Sequence, residues 1–280
     1  LGVMGFPMAG HLASAGLDVT VYNRTSAKAE AWVAANGGQM APTPAEAAKG
    51  AELVFTCVGN DADLSAVVTG ADGAMAGMDK DVILIDHTTT SADIARNLSV
   101  QLAAQSCHML DAPVSGGQAG AENGSLTIMV GGPSKVFDTA KPILMHYARA
   151  ARLMGAAGAG QLTKMVNQIC IGGLLQSLSE ALLFCEKGGL DGRVVVDVIS
   201  KGAAQSWQME NRFETMIDNQ FDFGFAVDWM VKDLDICLDE AVRNGADLPI
   251  TQIIRNYYGD VQEMGGGRWD TSSLIGRLRR

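Results

Sequence analysis

Asp111-Ala112-Pro113-Val114-Ser115-Gly116-Gly117-Gln118-Ala119-Gly120-Ala121-Glu122-Asn123-Gly124-Ser125-Leu126-Thr127-Ile128-Met129-Val130-Gly131-Gly132 joins two strand patterns through a glycine-rich loop. Val114 and the run Leu126 to Val130 read as short apolar strands. Between them Ser115, Gly116 and Gly117 leave backbone N–H groups able to converge on a small anion, for which a carboxylate is the natural guest. A glycine-rich hairpin that only reverses the chain is the plain alternative.

Toward the amino terminus the pattern alternates. Asp18 to Asn23 reads as a strand, Ser26 to Asn36 as a helix, and Leu53 to Val58 and Val82 to Asp86 as further strands. That alternation predicts a mostly parallel α/β sheet of the Rossmann type. The opening Leu1-Gly2-Val3-Met4-Gly5-Phe6-Pro7-Met8-Ala9-Gly10 matches the end of a Gly-x-Gly-x-x-Gly fingerprint running into a helix, with Gly2, Val3, Met4 and Gly5 placed to meet a pyrophosphate. A glycine-rich helix start without a ligand is the alternative. In such sheets the first strand is central, so a first strand and first glycine, about ten residues, are expected upstream of Leu1.

The end of the second strand selects the dinucleotide. NAD enzymes usually place a carboxylate about 20 residues beyond the glycines, where it accepts from the ribose hydroxyls. Here Asn23-Arg24-Thr25-Ser26 offers a guanidinium and hydroxyls, which suit the 2′-phosphate of NADP, with NAD as the alternative. Arg24 as a solvated charge and Thr25 as a helix cap is the non-functional reading. The strand ends Cys57-Val58-Gly59-Asn60 and Asp86-His87-Thr88-Thr89-Thr90 face the same cofactor cleft, making Val58, Thr88 and Thr89 candidate contacts. His87 reads as a ring packed at a strand end rather than a catalytic group.

Beyond a strand at Arg152 to Met154 the glycine-punctuated strands give way to helical periodicity. A helix opening at Gly158-Ala159-Gly160 runs to about Lys187 and ends at Gly188-Gly189. Helical patterns follow at Val194 to Ser200, Gln208 to Asn219, Ala226 to Asn244, Pro249 to Met264 and Ser272 to Leu278. The expected organisation is a dinucleotide-binding domain over residues 1–155 and an all-helical substrate and oligomerisation domain over 156–280, joined by the long helix.

Bulk properties narrow the function classes. With 31 acidic and 21 basic residues the formal net charge is −10, against a surface that attracts nucleic acid or anionic lipid. A predominantly apolar run of membrane-spanning length and a basic, apolar signal pattern are not expected, which makes the cytoplasm the default. The five cysteines, Cys57, Cys107, Cys170, Cys185 and Cys237, are widely spaced without metal-ligand spacing, and read as reduced core residues with no metal site.

Gly158-Ala159-Gly160-Gln161-Leu162-Thr163-Lys164-Met165-Val166-Asn167 carries the candidate chemistry. Lys164 and Asn167, three apart on a helix, share a face, and apolar Leu162, Met165 and Val166 surround the lysine. A solvated surface lysine is the ordinary alternative. This segment, the Ser115-Gly116-Gly117 stretch, the partial fingerprint and Lys232-Asp233-Leu234 occur in the order seen in the β-hydroxyacid dehydrogenases, and nearly the whole chain resembles that family. The chain departs from it at Gly59-Asn60 and His87-Thr88.

The resemblance implies a nicotinamide-dependent enzyme acting on a small carboxylate-bearing aldehyde or hydroxy acid. Lys164 would be the proton donor; Ser115, Gly116, Gly117 and Asn167 would bind substrate, and Lys232 would lie beside the cofactor. A binding protein that kept the fold but lost catalysis is the contrasting class, and Lys164 argues against it. Small residues in the long helix suit close helix packing, so a homodimer or homotetramer is expected.

Overall fold

The computed structural model describes residues 1–280. Two compact units are present, Leu1–Lys164 and Met165–Arg280. The first opens with α1 (Gly5–Ser14), β1 (Thr20–Val21), α2 (Ser26–Asn36), β2 (Gln39–Met40), α3 (Pro44–Ala48), β3 (Leu53–Thr56) and α4 (Asp61–Thr69). It continues through β4 (Ile83–Asp86), α5 (Ala92–Ala104), β5 (His108–Asp111), β6 (Val114–Ser115), α6 (Gly117–Glu122), β7 (Leu126–Gly131), α7 (Ser134–Leu144) and β8 (Ala148–Gly155).

Local chemistry starts these helices. The side chains of Thr43, Asn60 and Ser91 accept from the backbone N–H groups of Glu46, Asp63 and Ile94, capping α3, α4 and α5. Strand β4 is buried at every position, as expected for a strand covered on both faces. Its side chains alternate between two cores. Leu84 packs with Leu64, Val68, Leu98 and Leu102 of α4 and α5. Ile83 and Ile85 join Met8, Leu12, Phe137 and Leu144 of α1 and α7.

The six-stranded sheet has the order β3-β4-β5-β7-β6, with β8 also paired to β7. Pairs β3–β4, β4–β5 and β7–β8 are parallel, whereas β6 and β5 meet β7 antiparallel. Strand β1 is shorter than the segment Asp18 to Asn23 read from sequence, and it pairs only with β2. A groove of about 1540 Å³ is lined by residues of both β1 and β3. Between β6 and β7 the chain does more than turn. Gly117 to Glu122 forms α6, an element the strand–loop–strand reading did not contain.

Helix α8 (Ala159–Lys187) begins in the first unit and continues into the second. The second adds α9 (Gly192–Ile199), α10 (Trp207–Ile217), α11 (Val227–Asn244), α12 (Pro249–Glu263) and α13 (Leu274–Leu278). By length and composition α8 is apolar enough to cross a membrane, an exception to the sequence expectation. Its burial is that of a core helix: Leu175 packs against Leu234 and Ile254, and Leu178 and Leu182 against Val196 and Met216. Gly189, at φ 71°, ends it in the left-handed conformation.

All five cysteines are free thiols. Cys107, Cys185 and Cys237 are buried and Cys57 half-buried, but Cys170 is exposed on α8, so the expectation of five core cysteines fails at that position.

Candidate active site

Strand ends β3 and β4 are cross-braced. Thr88 Oγ1 accepts from Val58 N at 3.0 Å, and Asp86 Oδ1 accepts from Thr56 Oγ1 at 2.8 Å and from Thr88 N at 3.1 Å. Asp86 is fully buried, and its second oxygen, Oδ2, has no hydrogen-bond donor. Burial, only partly countered by those donors, pushes its carboxyl up to about 7. Burial likewise pushes the neighbouring Cys57 thiol up to about 11.

His87 stands between two neutral partners. A carbonyl only accepts, so Nδ1–H donates to Ala112 O at 2.6 Å. Nε2 therefore accepts from the Tyr147 hydroxyl at 2.8 Å. The ring stacks on Phe55, and burial drives its pKa down to about 4. It is a neutral ring at ordinary pH, and its one N–H is engaged by Ala112 O.

Six of the sequence-selected cofactor residues, Gly2, Gly5, Asn23, Arg24, Thr25 and Val58, line the groove beside β1 and β3. Val3 is exposed and Met4 half-buried at the start of α1, outside that lining, and Thr89 is half-buried beyond Thr88. The features present fit a dinucleotide phosphate. Helix α1 has neither a side-chain cap nor an acidic residue in its first turn, and nothing lies within 4 Å of the place a Cβ on Gly2 would take. The Arg24 side chain is 87% exposed, held only by a 3.5 Å ion pair to Asp63, and the Thr25 hydroxyl makes no cap bond to α2. Thr88, by contrast, is buried in the brace to Val58.

Ser115 ends β6 paired with Thr127, and the chain enters α6 through Gly116 at φ 133° and Gly117 at φ 60°. Side chains rarely adopt that backbone, so the two glycines are needed for the cradle-like turn. Both are exposed, and Ser115 is half-buried.

The start of α8 is clamped to the sheet. Asp111, the last residue of β5, accepts from Gly158 N at 2.7 Å and Gln161 N at 3.0 Å. A Cβ on Gly160 would sit 2.5 Å from Met129 O and 2.6 Å from Asp111 O, so only glycine lets the helix settle there. Gln161 is fully buried; its Oε1 accepts from Thr90 N at 3.1 Å and its Nε2 donates to Thr88 O at 2.7 Å. Lys164, just 8% exposed, follows within the same turn.

Along α8, Asn167 Nδ2 donates to Gln168 Oε1 at 2.8 Å, and Gln168 Nε2 donates to Asp233 Oδ2 at 2.7 Å. Lys232 Nζ lies 3.1 Å from Asp233 Oδ1. Asp111, Gln161 and Gln168 had been passed over in the sequence. Their signal was present: polar residues inside otherwise apolar, glycine-spaced segments. Trp207, Phe223 and Phe225 are exposed, with the Arg212 guanidinium 4.8 Å and 5.2 Å from the Trp207 and Phe223 rings.

The arrangement can bind a phosphate-bearing dinucleotide, hold a buried lysine at a fixed helix position and present an oriented amide three residues later. Comparisons with known proteins show the family. Residues 1–166 match the family described as the NAD binding domain of 6-phosphogluconate dehydrogenase. Residues 158–278 match that described as the NAD-binding region of NADP-dependent 3-hydroxyisobutyrate dehydrogenase. An uncharacterized oxidoreductase of Shewanella frigidimarina is 60% identical over 280 residues, covering 100% of this chain and 96% of its own. The probable 3-hydroxyisobutyrate dehydrogenase-like 1 of Arabidopsis thaliana, described as mitochondrial, is 36% identical, covering 100% and 83%. The solved structure of Mycobacterium tuberculosis 3-hydroxyisobutyrate dehydrogenase with L-serine superimposes with a TM-score of 0.91 at 29% identity, covering 100% of this chain and 97% of that one. With both halves of the chain matched in this way, it belongs to the β-hydroxyacid dehydrogenases, a family of NAD(P)-dependent oxidoreductases.

Proposed function

We propose that this chain is an NADP-dependent reductase of a small carboxylated semialdehyde, with 2-hydroxy-3-oxopropionate (tartronate semialdehyde), reduced to glycerate, as the preferred substrate. The observation that carries the reading is Lys164, buried one turn into a helix whose start is clamped by Asp111 and Gln161. Such a lysine serves a carbonyl reduction, in which the oxygen receiving the electron pair needs a proton. Nicotinamide supplies the hydride when bound. The protein's part is binding, orientation and proton transfer.

In this reading Gly2 to Gly5 and Arg24 with Asn23 and Thr25 hold the dinucleotide, and Val58, Thr88, Thr89 and Lys232 border it. Ser115, Gly116 and Gly117 hold the substrate carboxylate, Asn167 meets a substrate oxygen, and Lys164 Nζ protonates the alkoxide. In the reverse direction the neutral amine removes the alcohol proton. An exposed arginine and hydroxyls at the end of β1 support NADP over NAD. An amide near the lysine favours a substrate with a hydroxyl beside its aldehyde.

The second reading is 3-hydroxyisobutyrate oxidation, favoured by the names of the Arabidopsis and Mycobacterium proteins. Both readings place the enzyme in the cytoplasm, assembled as a homodimer or homotetramer through the helical half. The discriminating experiment follows NADPH and NADH oxidation with tartronate, methylmalonate and succinate semialdehydes and glyoxylate. The highest kcat/KM is expected for tartronate semialdehyde with NADPH; a higher value for methylmalonate semialdehyde selects the second reading. Arg24→Ala should erase the coenzyme preference, and an unchanged NADPH to NADH ratio of kcat/KM would remove Arg24 from the 2′-phosphate site.

A further inference from the structure

Asn167 is held from behind by a buried polar chain that ends in a charge. Asp233 and Gln168 are each 2% exposed, on α11 and α8. A carboxylate accepts and does not donate, so Gln168 must turn its NH2 toward Asp233 and its carbonyl toward Asn167. Gln168 Oε1 can then only accept, which obliges Asn167 to offer Nδ2. Each amide has two orientations, and with a neutral partner at position 233 both could reverse together without losing a hydrogen bond. The carboxylate removes that freedom.

We propose that Asp233 and Gln168 are positioning residues that fix the polarity of the Asn167 amide, so that its carbonyl Oδ1 is the acceptor turned away from Gln168 and toward substrate. The group recognised there is a hydroxyl, which can donate, rather than a carboxylate oxygen, which cannot. This rests on the reductase reading above and narrows it: the substrate carries a hydroxyl beside its carbonyl. An interaction of this kind discriminates against an analogue lacking the hydroxyl by about 10–100-fold.

The test swaps the ends of the relay. In Gln168→Glu two carboxylates oppose each other at high pH, and kcat/KM for tartronate semialdehyde should fall about 10–100-fold at pH 8. As pH falls the new carboxyl at position 168 takes up a proton, donates it to Asp233 and still accepts from Asn167, so activity returns relative to wild type. Adding Asp233→Asn supplies a donor at position 233, and the double variant should be active across the pH range. The other groups to control for are Lys232 beside Asp233, Lys164 one turn earlier on α8, and Cys237, one turn beyond Asp233, whose thiol donates to Met165 O; Asp235 is engaged by Arg255 of α12.

Asp233→Asn alone gives an independent answer should Gln168→Glu not fold. It should lower the preference for tartronate semialdehyde over 3-oxopropanoate, which lacks the hydroxyl, by about 10-fold while thermal stability stays near wild type. Wild-type pH profile and selectivity in both single variants, or a folded double variant no better than Gln168→Glu, would overturn the relay. Lys164→Ala, measured alongside, separates the failures. Loss of turnover there with normal Gln168→Glu rejects the relay alone, whereas full turnover in Lys164→Ala rejects the reductase reading and the relay with it.

Discussion

Two buried titrating residues at the end of β4 oppose each other. Asp86 is raised to about 7, so it favours folding when protonated, and its contribution is lost as pH rises from about 4 through 7. His87 is lowered to about 4, so the unfolded chain binds the extra proton below about 6.5, and stability from this residue increases as pH rises through that interval. The two slopes largely cancel in the wild type. Asp86→Asn should separate them: relative to wild type the variant gains by up to ~1.4 kcal/mol per pH unit between about pH 4 and 7. Urea unfolding at pH 5 and pH 8 measures this. A difference that does not change with pH would mean the Asp86 carboxyl is not raised. Sequence revealed His87 as a packed ring but not the burial that sets these shifts, because the donors to Asp86 come from Thr56, 30 residues away, as well as from Thr88.

At the scale of elements, helix periodicity was the most legible signal. The helix at 26–36 has the bounds read from sequence, and the long helix starts and stops at the glycines that announced it. Strand bounds missed in both directions, because strand ends depend on partners that the local pattern does not contain: β1 keeps two paired residues, matched by β2, whereas β8 runs from Ala148 to Gly155 beyond the Arg152 to Met154 read from sequence. Helix α6 went unread because its glycines match a turn equally well. Buried polar residues mark the clamp under α8, but its pairing is not legible locally, because Asp111 and Gly158 are 47 residues apart. Gly160→Ala should expose the clamp, since a Cβ there meets two carbonyl oxygens. The expected cost is about 1–3 kcal/mol in stability, with a larger fractional loss in kcat than in NADPH affinity. Wild-type unfolding midpoint and kcat would show that the start of α8 is not tightly seated.

For the molecule as a whole, the proposed self-association has exposed apolar side chains to draw on. On α9, Val194 and Val198, one turn apart, are 62% and 67% exposed, and Phe184 near the end of α8 is 75% exposed. Leaving such side chains in water is unfavourable, and a second copy is the covering the reading assigns to them. Light scattering is expected to give at least a dimer, and Val194→Lys with Val198→Glu should shift it toward monomer. A wild-type monomer at all micromolar concentrations would contradict this.

The proposed reaction depends most directly on Lys164 as the proton donor. His87 is its one rival by residue type, and it is neutral, buried and held by two partners. The decisive measurement is single-turnover and steady-state oxidation of NADPH with tartronate semialdehyde by wild type, Lys164→Ala, Lys164→Arg and His87→Ala, with NADPH affinity measured in parallel. Both lysine variants are expected to lose about 10²–10⁴-fold in kcat while binding NADPH nearly as wild type, and His87→Ala to retain turnover in whatever fraction folds. Near-normal turnover in both lysine variants, or inactivity confined to His87→Ala, would contradict the mechanism.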